Sequence, residues 1–198
     1  SEVQQWLRSP EEFILPREQW PESVPKACVQ VESDAEYFSI VQYLHKLGIV
    51  RPIAERDIFT VNGQKVLNGM FAVVKKGAVP KGVSRVTRLI MNLVPSNSYQ
   101  RLLSNSLGTL HSAASWTNIV LPDGHVLIWS SDDQRGAFYV FQLPPCWLAY
   151  MAFARPVPGY VVGVEEASTY VACCVIPMGW ISAVSLFQHL QRRISLLP

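Results

Sequence analysis

Acids are missing from one long stretch of this chain. Between Lys75 and Arg101 there are six bases (Lys75, Lys76, Lys81, Arg85, Arg88 and Arg101) and no Asp or Glu. Charge is scarce overall: 16% of the 198 residues are charged, and the formal net charge is +2. A net charge that small says little about nucleic acid, but the positive charge is local, and its placement is what matters. Cysteine is also sparse. Cys28, Cys146, Cys173 and Cys174 have no zinc-ligand spacing, and sequence neighbours rarely pair, so a zinc ribbon and a disulfide scaffold are excluded. Buried free thiols in an intracellular, reducing compartment, cytoplasm or nucleus, are the expectation. No apolar run reaches membrane-spanning length, and no basic-then-apolar segment opens the chain. Internal repeats and low-complexity segments are absent too. The first residue is Ser, which suggests a processed product or an excised part of a longer protein.

What is present is apolar. Hydrophobic residues make up 49% of the chain, enough for a sizeable core in one domain or two small ones, and wholesale disorder is excluded. Residues 1–32 carry Pro10, Pro16, Pro21 and Pro25 and read as an extended leader docked by Trp6, Phe13, Leu15 and Trp20. Ser33-Asp34-Ala35-Glu36 is a capping box. Tyr37, Ile40, Val41, Leu44 and Leu47 then recur at helical spacing, and Gly48 ends the helix. His45 falls off the apolar stripe and is expected in solvent.

Met70–Gly77 predicts a strand, and Ser84–Leu93 its antiparallel partner, with residues 77–82 at the tip. Residues 98–125 predict one short helix and loops. His111 and His125 have no second ligand at metal spacing. Val126–Trp129 is an apolar run that predicts a buried strand ending in a pair of acids, Asp132 and Asp133. Tyr150–Ala154 and Val171–Ile176 predict paired strands joined by a Pro- and Gly-rich connection. Ala183, Leu186, Phe187, Leu190 and Ile194 predict an amphipathic helix.

Several of these stretches together resemble the reverse transcriptases of retroelements. Trp129-Ser130-Ser131-Asp132-Asp133-Gln134-Arg135-Gly136-Ala137-Phe138 is similar to the family's first aspartate motif. Tyr150-Met151-Ala152-Phe153, Pro177-Met178-Gly179-Trp180 and the helix through Phe187 follow in the family's order. Upstream, the 34–47 helix, the strand ending Lys75-Lys76 and the strand from Arg88 to Asn92 resemble the fingers. Asn92 stands where the family usually has Asp.

The resemblance implies an α+β right-hand polymerase fragment. Its parts would be a leader (1–32), fingers with an antiparallel hairpin (33–125), and the N-terminal half of a palm whose incomplete sheet packs on helices (126–198). It implies nucleotidyl transfer with two magnesium ions about 4 Å apart, one of them held by Asp133. Lys76 and Arg88 would hold phosphates, and the backbone at Gly136 and Ala137 would cradle the triphosphate. Phe138 would exclude a 2′-hydroxyl by clash. Met178 and Gly179 would lie at the nucleotide, and Trp180 beneath the template base. The implied partners are an RNA or DNA template-primer, deoxynucleoside triphosphates and the remainder of a polyprotein, with no membrane.

The family's second aspartate motif, Tyr-x-Asp-Asp, follows the last helix, and no such sequence occurs before Pro198. Two expectations follow: a polymerase segment that is inactive by itself, or a decayed or domesticated polymerase fold that at most binds nucleic acid.

Overall fold

The computed structural model describes residues 2–74, 87–103, 117, 119–128 and 136–195. Helices and short strands are mixed along the chain, and the sheets are small and antiparallel, so the chain is of mixed α+β type.

The opening segment is less extended than its prolines suggest. Helix α1 (Glu2–Arg8) is followed by 3-10 turns at Pro10–Phe13 and Arg17–Gln19. Pro10 sits at the first position of its turn and Pro16 at the N-cap of the next. Neither place needs an N–H, so these prolines start turns rather than break them. The docking itself is as expected. Phe13 is buried edge-on to Trp147 at 5.3 Å, and Trp20 meets Tyr99 at 5.4 Å. Backbone bonds from Leu15 N–H to the Tyr99 carbonyl and from Arg101 N–H to the Phe13 carbonyl fasten the segment down.

Helix α2 (Asp34–Lys46) begins where the capping box predicts. Ser33 Oγ accepts the Glu36 N–H at 3.1 Å, and the Glu36 carboxylate accepts the Glu32 N–H at 2.6 Å. Tyr37, Val41 and Leu44 form its buried face. His45 is half-buried rather than solvated, because its Nδ1 lies 3.2 Å from the Val50 carbonyl oxygen.

Strand β1 (Val50–Ile53) leads to a hairpin of β2 (Thr60–Val61) and β3 (Gln64–Lys65). The two turn residues, Asn62 (φ 50) and Gly63 (φ 77), both lie in the left-handed region, as a tight twisted hairpin needs. Strands β4 (Gly69–Val74) and β5 (Thr87–Asn92) pair antiparallel as predicted, with Met70 opposite Met91 and Val73 opposite Arg88. The tip between them is outside the described residues. The one-turn helix α3 (Val94–Asn97) follows, and most of the 98–125 stretch in which a short helix was expected lies outside the described residues.

Helix α4 (Ala137–Val140) is also a single turn. Pro145–Tyr150 is a 3-10 helix with Pro145 at its first position, so the expected strand at 150–154 is reduced to single bridges at Ala152 and Phe153. Strands β6 (Val157–Pro158) and β7 (Ser168–Cys173) and helix α5 (Ala183–Ser195) complete the chain. β7 ends at Cys173, and Val175 continues only as a single bridge to Gln142.

β7 is the centre of a three-stranded sheet ordered β1-β7-β6. Residues 151–153 do join β7, through an Ala152–Ala172 bridge, but its main partner is β1, with Val50 opposite Cys173. The sheet therefore crosses position 125/126, where fingers and palm were expected to meet. Val126, Leu127 and Ile128 are not the buried strand that their sequence predicts. They are 80%, 52% and 89% exposed and form no strand. Both edges of β7 are already occupied, by β1 on one side and by β6 and Ala152 on the other.

The two sheets are joined at Asn68. Its N–H bonds the Ala152 carbonyl at 2.8 Å, and its carbonyl accepts the Ala154 N–H at 2.7 Å. Its side chain donates to the carbonyls of Tyr150 (3.0 Å) and Ala152 (3.1 Å) and accepts the Ser96 N–H at 3.3 Å. A fully buried amide is tolerated here because both of its ends are bonded.

The core runs from Phe13 to Leu186 around Trp147, whose ring meets Phe13, Tyr150 and Trp180. The Trp147 indole N–H reaches the Leu7 carbonyl at 2.9 Å.

Candidate functional site

Strand β5 organises the residues singled out by the sequence. One edge pairs with β4, and the other receives two separate turns. Tyr139 Oη, on α4, donates to the Leu89 carbonyl at 3.4 Å. The Met91 N–H donates to the Met178 carbonyl at 3.2 Å.

The first turn is set by Gly136, whose φ of 61 lets the chain reverse into α4. The Tyr139 N–H closes it on the Gly136 carbonyl at 2.8 Å. Phe138 is half-buried, its ring 5.2 Å from that of Phe187 on α5, and Phe141 meets Phe187 from another side at 5.7 Å. Burial pushes the Tyr139 phenol above its ordinary value; the Cys173 thiol adds to the rise and the Arg88 guanidinium opposes it. Arg88 is thus close enough to Tyr139 to act on it, while its own side chain is exposed at the outer part of β5.

The second turn is tighter. Gly179 has a φ of 116, and a Cβ there would lie 2.1 Å from the Met91 carbonyl oxygen, so no larger residue fits without moving β5. Asn97, from α3, holds the turn on both sides. Its Nδ2 donates to the Gly179 carbonyl at 2.8 Å, and its Oδ1 accepts the Ile181 N–H at 3.0 Å. Trp180 points inward. It is 3% exposed, packs 4.9 Å from Trp147, and donates its indole N–H to Gln100 Oε1 at 2.6 Å.

Of the residues singled out, Arg88 lies on β5, Met178 and Gly179 lie against it, the Gly136–Phe138 turn reaches it through the Tyr139 hydroxyl, and Trp180 is buried in the core against Trp147. Asp133 and Lys76 lie outside the described residues. Among the described residues, no group of three or more His, Cys, Asp or Glu could hold a metal ion. His125 is exposed, with its Nδ1 3.2 Å from the Asp123 carbonyl, and His45 bonds backbone as above; His111 lies outside the described residues. Tyr139 and Asn97 are supporting side chains that motif reading passed over, while Phe187 stood both in the helical stripe and in the run that follows Pro177–Trp180.

No family model matches the chain, and no curated protein matches it. No described helix is long and apolar enough to cross a membrane.

Proposed function

We propose that this chain is the fingers and first half of the palm of a retroelement RNA-directed DNA polymerase, active only within a longer parent protein. The observation that supports this reading is the convergence on the outer edge of β5. Arg88 lies on β5, Met178 bonds its Met91 N–H, and the turn at Gly136–Phe138 reaches it through the Tyr139 hydroxyl, and this proximity supports the reading.

In this reading Arg88 supplies a guanidinium fork to phosphate oxygens from an exposed position. The turn at Gly136 and Ala137 brings backbone N–H groups close to the triphosphate. Phe138 is braced from behind by Phe187, so its ring holds its place beside the sugar and clashes with a 2′-hydroxyl. Met178 and Gly179 form the floor, supported by Trp180. Lys76 is a second phosphate contact. Asp133 would be one ligand of the magnesium, which would supply charge neutralisation at the phosphates, with further carboxylates coming from the rest of the parent.

The test is single-nucleotide extension of a primed RNA template by the parent protein. Asp133→Asn is expected to abolish extension, and Phe138→Ala to raise ribonucleotide incorporation relative to deoxyribonucleotide while extension persists. The 198-residue chain alone is expected to extend nothing. An unchanged sugar preference in a folded, active Phe138→Ala parent would make Phe138 a packing residue for Phe187 and sink this alignment. A parent that binds RNA but never extends a primer would instead favour the domesticated, non-enzymatic form.

A further inference from the structure

Two Asn-Gly pairs stand close together in the sequence, Asn62-Gly63 and Asn68-Gly69, and the fold treats them oppositely. Asn68 is fully buried with both ends of its side chain bonded, and Gly69 is held in β4 opposite Asn92. Asn62 and Gly63 are both exposed, as the two turn residues of the β2–β3 hairpin.

The reactive groups are open at this turn. Among the described residues, the Gly63 N–H has no hydrogen-bond acceptor and Asn62 Nδ2 has no partner. No atom lies within 4 Å of where a Gly63 Cβ would stand, so neighbours do not crowd the turn. Asn62 Oδ1 accepts from Arg17 Nη2 at 3.3 Å, which draws electrons from the amide carbon. The ladder behind the turn is short: Val61 pairs with Gln64 and Thr60 with Lys65. A ladder of that length opens locally at far lower cost than the whole fold.

We propose that Asn62 is a self-modification site of the folded chain, converted by water from an amide to a carboxylate through a cyclic imide, and that the aspartate form is held by Arg17. The Gly63 backbone nitrogen attacks Asn62 Cγ and gives its proton to solvent. Ammonia leaves with Nδ2, which closes the imide. Water then adds to one imide carbonyl and breaks its bond to nitrogen. Opening on one side gives aspartate, and on the other isoaspartate. The sum is amide plus water to acid plus ammonia, with no change of oxidation state.

The two products act differently. Arg17 lies over the Trp20 ring at 5.8 Å and already reaches Asn62, so aspartate exchanges a neutral acceptor for a charged one and ties the opening segment to the hairpin by an ion pair. Isoaspartate lengthens the backbone of a two-residue turn, whose length sets the register of the strands behind it.

Trypsin separates the two sites, because cleavage after Arg56, Lys65 and Lys75 puts Asn62 in residues 57–65 and Asn68 in residues 66–75. The whole chain is incubated folded at mildly alkaline pH and digested, beside a sample kept in concentrated urea. Mass spectrometry then follows the amide-to-acid gain in each peptide. Asn62 is expected to convert at least about tenfold faster than Asn68 in the folded chain, because only Asn68 waits for global unfolding, and at a comparable rate in urea. Equal rates in the folded chain would overturn the proposal, since unfolding would then be the route for both. So would an Asn62 that stays an amide in the folded chain while it converts in urea. The held product is tested with Asn62→Asp by NMR. Its new carboxylate is expected to titrate below the ordinary aspartate range, and to return to that range when Arg17→Ala is added. A midpoint that Arg17→Ala leaves in place would sink the ion pair.

Discussion

The β1-β7-β6 sheet and the β4–β5 pair are both made of short apolar strands, yet they end in opposite surroundings. Val171, Ala172 and Cys173 of β7 are fully buried, with neighbours on both edges. The β4–β5 pair is buried only at its base, at Met70 and Met91, and becomes exposed along its length until Val73 and Val74 are 46% and 54% open. Apolar sequence alone does not decide burial; the availability of partners does. The first sheet is a scaffold inside the core, while the pair is an arm whose root alone is fixed, and the candidate site lies on that arm where two turns brace it.

The contrast can be tested by substitution. The largest effect is expected in the scaffold. Trp147→Ala removes the ring on which Phe13, Tyr150 and Trp180 converge, and about 3–5 kcal/mol of stability should be lost in a urea melt. A smaller loss than that of an exposed substitution would mean the core is not organised around it.

Gly179→Ala comes next, at about 1–3 kcal/mol, because its Cβ would meet the Met91 carbonyl and its backbone angle disfavours a side chain. Its mark should be local. Hydrogen exchange at the Met91 amide should accelerate while that at Cys173 is unchanged at the same fraction folded.

The Cys173 thiol is buried in the scaffold, and burial pushes it from 9.0 up to about 12. The folded state holds that proton more tightly than the unfolded state does. Its contribution to stability is therefore complete below pH 9.0 and is lost as the pH rises toward about 12. Cys173→Ala should flatten the stability profile across that window, whatever its cost at neutral pH.

The smallest effect is expected at the exposed end of the arm. Arg88→Ala should change stability by no more than about 0.5 kcal/mol. Because Arg88 opposes the rise of the Tyr139 phenol, its removal should raise the Tyr139 titration midpoint further, which an ultraviolet or NMR titration reads directly.

Local chemistry was the legible part of the fold. The capping box at Ser33–Glu36 and the alternation in β4 and β5 can be read within a few residues, and the structure contains both. The β2–β3 hairpin also had its signal, Asn62-Gly63 between short β-forming pairs, which went unread beside the longer runs. Pairing of β1 with β7 leaves no local trace, because it depends on which edges remain free once the chain has collapsed. Val126–Ile128 show the same limit from the other side, since an apolar run predicts a strand only if an edge is available to it. At the site, Gly136, Phe138 and Gly179 were recognisable as a motif. Two of their supports were not, because Asn97 and Tyr139 act through carbonyls distant in the chain.

Asn68 also gives this molecule a chemical clock. It is followed by Gly69, and Asn-Gly is the sequence most prone to deamidation: the glycine nitrogen attacks the side-chain amide carbon, ammonia leaves, and water opens the resulting imide to aspartate or isoaspartate. Gly69 is not free to change, because a Cβ there would lie 2.4 Å from the Cys28 carbonyl oxygen. In the folded chain the side chain of Asn68 is bonded at both ends and shut away from water, so the attack geometry is denied. Each excursion to the unfolded state exposes it. A carboxylate formed there could not return to face the Tyr150 and Ala152 carbonyls without severe repulsion, so the residue that joins the two sheets also records, irreversibly, how long the chain has spent unfolded.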